Sequence, residues 1–329
     1  MACPSRAEGG RMRHADWGVL SPRWAGIRSE EIDVCGTSVH YLTADAGCDG
    51  PTHLLIHPMA GSASMCLDLI APLSRLGPVI VPDLPGTFFG HTSSPHPRAA
   101  KAEVNARFLR AFTARLGLRD AIVHGWSMGG LVAVLFAASV PDRVGRLVLA
   151  APALPGPLPS DEVLFWRTAG PMLLTAGPPL VRVVLRMTGR RLLEMKLRAY
   201  TDRRAEGLVG GDQARLSPEM AALLTEELRS ADPRRLGGAV TAFASVLSHL
   251  FVDRGHVYRA IADVRAPVLL LWGGQDGVVT KSTIDDLAAR RPDWRLRVFD
   301  AVGHLLPLEM PHAYVTAVNQ WLVEDVCPA

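Results

Sequence analysis

A serine flanked by glycines is the strongest candidate nucleophile in this sequence. The pentapeptide Gly125-Trp-Ser127-Met-Gly129 matches the pattern G-x-S-x-G and stands between an apolar run and a stretch of helical periodicity. A sharp turn from strand to helix strains the serine backbone, and flanking glycines let neighbouring segments approach without a Cβ clash. The pattern therefore predicts an exposed Ser127 hydroxyl that can attack a carbonyl carbon. The alternative is a glycine-rich turn without chemistry.

A serine hydroxyl needs a base to take its proton, and that base must be held in one tautomer. His304 follows the last apolar run of the chain, and Asp276 follows the run before it. Both would lie at the C-terminal edge of a parallel sheet, where the active sites of open α/β sheets form. The order Ser, Asp, His favours Ser127 as nucleophile, Asp276 as the orienting acid and His304 as the general base.

Other titratable side chains compete for these roles. Asp300, four residues before His304, is the second candidate for the acid, and Asp83 and Asp161 are weaker ones. His57 and His124 flank apolar runs, a position more typical of core histidines than of catalytic ones, so we assign neither a catalytic role.

The elements that must position these residues follow from the alternation of short apolar runs with helical periodicity. Short, continuously apolar runs are typical of strands covered by helices on both faces. The sequence predicts an α/β fold with a doubly wound, mostly parallel sheet, opened by a hairpin around Gly36. The predicted strands are 53–56, 79–81, 121–123, 147–149, 267–272 and 296–299, and the predicted helices are 63–76, 99–116, 128–139, 281–291 and 311–326.

This rhythm stops after residue 150 and resumes near residue 267. A connection of that length without secondary structure is improbable, and its composition is helical after a proline-rich entry. We expect an inserted helical cap at 152–264, a core formed by 26–151 and 265–329, and a flexible N-terminal arm at 1–25.

The sequence resembles the α/β-hydrolase superfamily over nearly the whole chain after residue 30, through Gly-Trp-Ser-Met-Gly-Gly at 125–130, Gly-Gly-Gln-Asp at 273–276 and Gly-His at 303–304. The resemblance implies an oxyanion hole made by the backbone N–H groups of Met59 and Met128. Amide donors aimed at a developing oxyanion stabilise a tetrahedral intermediate by about 3 kcal/mol each.

Two features depart from the family pattern. Pro58 stands where the usual His-Gly places glycine, which removes one backbone donor but leaves the amide of Met59. The segment 83–93 is longer between its glycines than the family pattern, so Phe88 or Phe89 is expected to reach the pocket.

The inserted segment carries apolar and basic residues. We predict an apolar acyl pocket with Trp126, Phe88 and Trp166 among its lining residues, although apolar cap residues equally suit packing onto the core. Arginine is dense from Arg182 to Arg204. That run is either a solvated helix face or a surface that attracts an anionic substrate or a lipid surface.

Composition limits the class of protein. With 48% hydrophobic and 20% charged residues the chain is globular, and a net charge of +3 does not indicate a nucleic-acid partner. Metal-ligand spacings and nucleotide motifs are absent from the sequence, so we expect neither a metal nor a cofactor. Five cysteines without a C-x-x-C pair and no apolar segment near the N-terminus favour a cytoplasmic protein. Arginines and prolines within 163–187 argue against a stable membrane span.

These features predict a serine hydrolase that cleaves a carboxylic ester, lactone or thioester through an acyl-enzyme. Acyl transfer and hydrolysis of a carbon–carbon bond in a vinylogous diketone are alternatives on the same fold. A non-catalytic binding protein is disfavoured because all three triad residues are present in order.

Overall fold

The computed structural model describes residues 14–92, 96–201 and 209–326, with the backbone alone at 186–187, 190, 192–201 and 325–326. Its centre is an eight-stranded sheet in the order β1-β2-β4-β3-β5-β6-β7-β8. The pairs β1–β2 and β2–β4 are antiparallel, and every other pair is parallel. The strands are β1 Arg28–Val34, β2 Thr37–Ala44, β3 His53–Ile56, β4 Val79–Pro82, β5 Ala121–Trp126, β6 Val144–Ala150, β7 Val268–Gly273 and β8 Arg295–Phe299. The predicted α/β class and mostly parallel sheet are confirmed.

Helices cover both faces of the sheet. The central strands β3, β5 and β7 are buried along their whole length, as continuously apolar strands require. Side chains alternate between the two faces, so Leu54 and Ile56 of β3 join one apolar cluster and Leu55 joins the other. The helices are α1 Leu67–Leu73, α2 Ala102–Arg115, α3 Met128–Ser139, α4 Ser160–Thr168, α5 Gly170–Thr201, α6 Pro218–Arg229, α7 Leu236–Leu247, α8 Arg254–Asp263, α9 Lys281–Arg290, α10 Leu306–Glu309 and α11 Pro311–Val326.

The predicted bounds differ most from the structure in two helices. The helix predicted at 63–76 begins with a 3-10 turn at 63–66 and ends at Leu73. The helix predicted at 99–116 begins at Ala102, because Lys101 is extended and separates it from a 3-10 turn at 97–100.

The expectation of a flexible arm at 1–25 is wrong for residues 14–25, whereas residues 1–13 lie outside the described part of the chain. Trp17 and Trp24 are each 1% exposed and meet edge to face. The indole Nε1 of Trp24 donates to Asp68 at 2.8 Å, and the backbone of Trp17 donates to Ile27 at 3.0 Å. Two buried indoles with partnered N–H groups fix this segment without any helical or strand periodicity.

Helices α4 to α8 form the segment between β6 and β7, which we call the helical insertion (152–264). It contacts loops that follow β3 and β4. Ser64 donates to Glu227 of α6 at 2.5 Å, and Arg235 donates to the carbonyl of Thr92 at 3.1 Å. Since both loops leave the C-terminal ends of their strands, the helical insertion lies over that edge of the sheet.

Candidate active site

The turn between β5 and α3 holds Ser127 in a strained backbone conformation, with φ 55° and ψ −119°. Such a positive φ costs energy for a residue with a Cβ atom and persists only where the surroundings enforce it. The N–H of Ser127 donates to the carbonyl of Ala150 at 3.0 Å. A Cβ atom on Gly129 would stand 2.2 Å from the carbonyl oxygen of Ile56, so only glycine lets β3 pass this close. The predicted turn is present, and it places the hydroxyl at the start of α3.

Three side chains form one hydrogen-bonded line at this edge of the sheet. His304 Nε2 lies 2.9 Å from Ser127 Oγ, and His304 Nδ1 lies 2.9 Å from Asp276 Oδ2. The side chain of Asp276 is 0% exposed and that of His304 is 9% exposed. The structure thus brings together the three residues predicted as nucleophile, acid and base.

The loop after β7 fixes the carboxylate of Asp276. Its second oxygen, Oδ1, accepts the N–H groups of Val278 at 2.7 Å and Val279 at 2.9 Å. With one oxygen held by backbone donors, the other remains directed at His304. Asp300, the alternative acid, is exposed just beyond the end of β8 and is not the partner of His304.

The backbone of His304 is held from two sides. Its N–H donates to the carbonyl of Val209 at 2.9 Å, and its carbonyl accepts from the indole Nε1 of Trp126 at 3.0 Å. Trp126 is 4% exposed, and its place in the pocket stays a prediction. The single N–H donor of its indole is used in the hydrogen bond to the backbone carbonyl of His304.

A buried carboxylate that sequence reasoning missed completes this support. Glu309 Oε1 accepts from the N–H of Gly303 at 3.0 Å, and Oε2 accepts from the N–H of Asp212 at 3.0 Å. Its side chain is 1% exposed, with Arg215 Nη1 at 4.0 Å. Glu309 therefore joins the loop of His304 to the helical insertion. The only sign of this role in the sequence is that Glu309 stands five residues after the candidate base His304.

The amides implied as an oxyanion hole are available as donors. Within the described ranges, neither the N–H of Met59 nor that of Met128 donates to a protein acceptor. Met128 opens α3, whose N-terminus carries a partial positive charge. Next to Met59, Ala60 has a positive φ of 53°, which marks a sharp bend after β3. Both amides are therefore available for the oxyanion role, which stays a prediction.

Asp83 organises the loops after β3 and β4. Its carboxylate accepts from His40 Nδ1 at 2.8 Å, from the N–H of Ala63 at 2.7 Å and from the N–H of His91 at 2.7 Å. Burial alone would raise the pKa of Asp83, but the hydrogen bond and charge of His40, with His57 and His91 nearby, hold that pKa well below its usual range. Asp83 is thus an ionised structural anchor and not the acid of the triad.

His57 and His124 are hydrogen-bonded core residues, as predicted. His57 Nδ1 lies 2.9 Å from the carbonyl of Pro58, and its Nε2 accepts from the N–H of Leu84 at 3.1 Å. His124 lies 2.9 Å from both His53 Nδ1 and the hydroxyl of Tyr314. Burial lowers the pKa of His57 and of His124, which keeps both rings neutral.

Phe88 and Trp166, also predicted to line the pocket, have packing roles. Phe88 is 3% exposed, meets Phe89 edge to face at 4.5 Å and clusters with Leu236 of α7. Trp166 stacks on Phe251 at 4.7 Å inside the helical insertion. These contacts bury part of both rings, and their place in the pocket stays a prediction. Asp161, the remaining acid candidate, is exposed in α4.

Known hydrolases are similar to this chain in sequence. A 2-hydroxy-6-oxononadienedioate/2-hydroxy-6-oxononatrienedioate hydrolase from Burkholderia vietnamiensis is 28% identical over 250 residues, covering 74% of this chain and 76% of that protein. A 2-hydroxy-6-oxo-6-phenylhexa-2,4-dienoate hydrolase from Burkholderia cepacia is 28% identical over 284 residues, covering 82% of this chain and 86% of that protein.

Solved structures share the fold. The 2-hydroxy-6-oxo-6-phenylhexa-2,4-dienoate hydrolase of a Rhodococcus species superposes with a TM-score of 0.68 and 19% identity over 90% of this chain and 99% of its own. A bacterial membrane phospholipase A superposes with a TM-score of 0.66 and 25% identity over 95% of this chain and 90% of its own. The model of the alpha/beta hydrolase family matches residues 54–317. The chain belongs to the alpha/beta hydrolase family.

Proposed function

We propose that this protein is a serine hydrolase that cleaves a carbon–carbon bond beside a ketone in a vinylogous diketone of the 2-hydroxy-6-oxo-dienoate type. The observation that carries the hydrolase part is the line of hydrogen bonds from Asp276 through His304 to Ser127. The substrate class is supported by relatives named as hydrolases of such dienoates, which align over 74% to 88% of this chain. Carbon–carbon hydrolysis therefore replaces ester hydrolysis as the leading function.

The 2-hydroxy dienoate must first tautomerise to its keto form: the hydroxyl proton leaves oxygen and a proton is added to the carbon beside the ketone. In the first step on this keto form Ser127 Oγ attacks the ketone carbon while His304 Nε2 takes its proton. Asp276 stabilises the resulting imidazolium and holds the ring in place. The ketone oxygen becomes an oxyanion, for which the amides of Met59 and Met128 are the available donors.

In the second step the tetrahedral intermediate collapses and the carbon–carbon bond breaks. The departing carbon keeps the electron pair, which is delocalised onto the second carbonyl of the substrate's keto form, and a proton from His304 completes the leaving group. Ser127 then carries an acyl group. His304 activates water to hydrolyse that ester, which releases a carboxylic acid and restores the serine.

Ester or thioester hydrolysis, or acyl transfer, is the second candidate. The same nucleophile and oxyanion donors serve it without change. Ester and thioester hydrolysis differ from the proposed reaction in the leaving group, and acyl transfer differs in the acceptor that replaces water. Similarity to a membrane phospholipase A, an ester hydrolase by its name, supports this candidate.

A paired assay tests the proposal. Wild type, Ser127→Ala and a serine control, Ser139→Ala on the far end of α3, would be given 2-hydroxy-6-oxo-6-phenylhexa-2,4-dienoate and p-nitrophenyl esters from acetyl to palmitoyl. The proposal predicts turnover of the dienoate by wild type and Ser139→Ala, with loss in Ser127→Ala. Turnover of esters alone would replace it with the second candidate, and equal rates in Ser127→Ala would overturn both.

A further inference from the structure

Exposed apolar side chains are concentrated on the helical insertion. Of fourteen large hydrophobic side chains exposed in the described residues, eight lie between residues 164 and 184 on α4 and the first half of α5. We call this surface the apolar face: Leu164, Phe165, Met172, Leu173, Leu180, Val181, Val183 and Val184. Leu173, Leu180 and Val184 are spaced by seven and four residues, so they share one side of the helix. Exposed apolar side chains concentrated in this way mark an interaction site.

A groove of about 490 Å³ lies along α5, which carries most of the apolar face, and is closed by residues 98–103 and 241–252. Its walls combine Pro171 and Leu174 with three cations, Arg98, Lys101 and Arg182. Lys101 lies 3.7 Å from Glu103, and Arg182 reaches Thr241 at 3.5 Å. Three cations against the one carboxylate of Glu103 give the groove a positive charge, and His249 lines it as well.

We propose that the apolar face and this groove together dock the protein on an anionic phospholipid bilayer. Apolar side chains of such a surface enter the boundary between headgroups and acyl chains, while neighbouring cations attract anionic headgroups. The sequence of α5 becomes rich in arginine after Arg182. Arg191, the next arginine of this helix whose side chain is described, is exposed. Exposed apolar side chains and basic side chains therefore both lie along α5 and the segments next to it.

The geometry favours lying on the bilayer over crossing it. The axes of α4 and of α5 up to Leu185 differ by 59°, and α5 carries Pro178, Pro179 and Arg182 within its apolar part. In the described residues one further helical stretch, Pro233–Val252, is long and apolar enough to span a membrane. That stretch packs against α5 and against the segment 97–100 of the core.

A second copy of the chain is the competing occupant of the apolar face. A two-fold interface brings the same surface of each copy together. Arg98, Lys101 and Arg182 would then approach the same cations of the partner, with the carboxylate of Glu103 as the one opposing charge in the groove. A bilayer with anionic headgroups supplies the complementary charge, whereas a self-interface does not.

Vesicle flotation of the full chain tests the proposal. Vesicles of phosphatidylcholine alone would be compared with vesicles containing about one third phosphatidylglycerol, at low and high salt. We expect at least about tenfold more protein on the anionic vesicles, and loss of most of that difference at high salt, because salt screens exposed charges. Ser127→Ala should bind as wild type does, which separates docking from capture of a substrate.

Matched variants locate the surface. Met172→Ser with Leu180→Ser removes the two most exposed apolar side chains of the face, at 71% and 67% exposure, and should lower vesicle binding about tenfold. Val298→Ser with Val323→Ser, exposed on the core, is the control and should bind as wild type. Arg98→Gln with Lys101→Gln should abolish the preference for anionic vesicles, whereas Arg119→Gln with Arg295→Gln should retain it.

Three results would overturn the proposal. The first is no binding to either vesicle, and the second is equal binding by the face and control variants. The third is a dimer in gel filtration that Met172→Ser with Leu180→Ser converts to a monomer, which would assign the face to a second copy.

Discussion

The edge of the sheet and the helical insertion above it solve different physical problems. At the sheet edge hydrogen bonds fix the side chains of Ser127, His304 and Asp276, and α3 is buried from Met128 to Ala137. In the insertion, α4 has no buried residue, and Leu180 of α5 is 67% exposed. A catalytic triad needs its side chains held in fixed positions. An exposed apolar helix, by contrast, is stabilised further when a partner covers its apolar side chains. Changes at the edge should therefore affect activity strongly, and changes on the insertion should affect partners.

The largest effect is expected from Asp276→Asn. Loss of the carboxylate removes the group that orients and stabilises the ring of His304, so kcat should fall by about 10³ to 10⁴. Initial rates on the preferred substrate, with the melting temperature measured in parallel, would check this. Asp300→Asn, exposed beyond β8, is the matched control and should keep the wild-type rate; equal losses in both variants would contradict the assignment of Asp276.

Gly210→Ala should be the next largest change. Gly210 has φ +69°, and a Cβ atom there would stand 1.7 Å from the carbonyl oxygen of Gln275. Because neighbouring Val209 holds the backbone of His304, displacement should lower both activity and stability, the latter by about 3 kcal/mol. Gly36→Ala, with φ +80° and no atom within 4 Å, isolates the backbone strain and should cost only about 1 kcal/mol.

The difference between the two variants in urea denaturation measures the clash alone. Equal free energies of unfolding would show that the Val209–Gly211 segment does not press on the loops after β7 and β8.

Asp83→Asn should reduce stability by about 2 kcal/mol at neutral pH, because it weakens hydrogen bonds to a buried charge. The folded-state pKa of Asp83 is depressed. Its contribution is therefore fully present above the pKa of the unfolded state and is lost as the pH falls through the folded-state value. Urea denaturation from pH 7 down into acid should show wild type and Asp83→Asn converging. A constant gap over that range would mean that the charge of Asp83 contributes nothing.

The smallest effect is expected from Leu180→Ser on the apolar face. Its exposed side chain adds little to the core, so the free energy of unfolding should change by no more than about 0.5 kcal/mol. Leu109→Ala, a fully buried residue of α2, should by comparison cost about 2 to 5 kcal/mol. A large loss in Leu180→Ser would show that the apolar face is packed in solution and is not free to meet a partner.

The parts of the molecule that sequence alone predicted are those governed by local pattern. The start of β5 at Ala121, the start of α3 at Met128 and its end at Ser139 follow from an apolar run, a glycine-flanked serine and helical periodicity. The triad followed from the same reasoning, because parallel strands bring residues distant in sequence to one edge.

What the sequence did not predict depends on contacts between distant segments. Trp17 and Trp24 are fixed by burial and by the hydrogen bond from the Trp24 indole to Asp68. Neither interaction produces a periodic pattern in the sequence. Trp126 was expected to line the pocket, and the hydrogen bond from its indole to the backbone of His304 was not predicted. Glu309 bonds two backbone amides, and such a role gives a carboxylate no distinctive neighbours in the sequence.

The most direct test of the central claim, that Ser127 is a nucleophile activated by His304, is mass spectrometry after treatment with a fluorophosphonate. The account predicts one covalent adduct on Ser127 in wild type, an equal adduct in the control Ser139→Ala, and none in Ser127→Ala or His304→Ala. An adduct on another serine, or an unmodified Ser127 in folded wild-type protein, would contradict it.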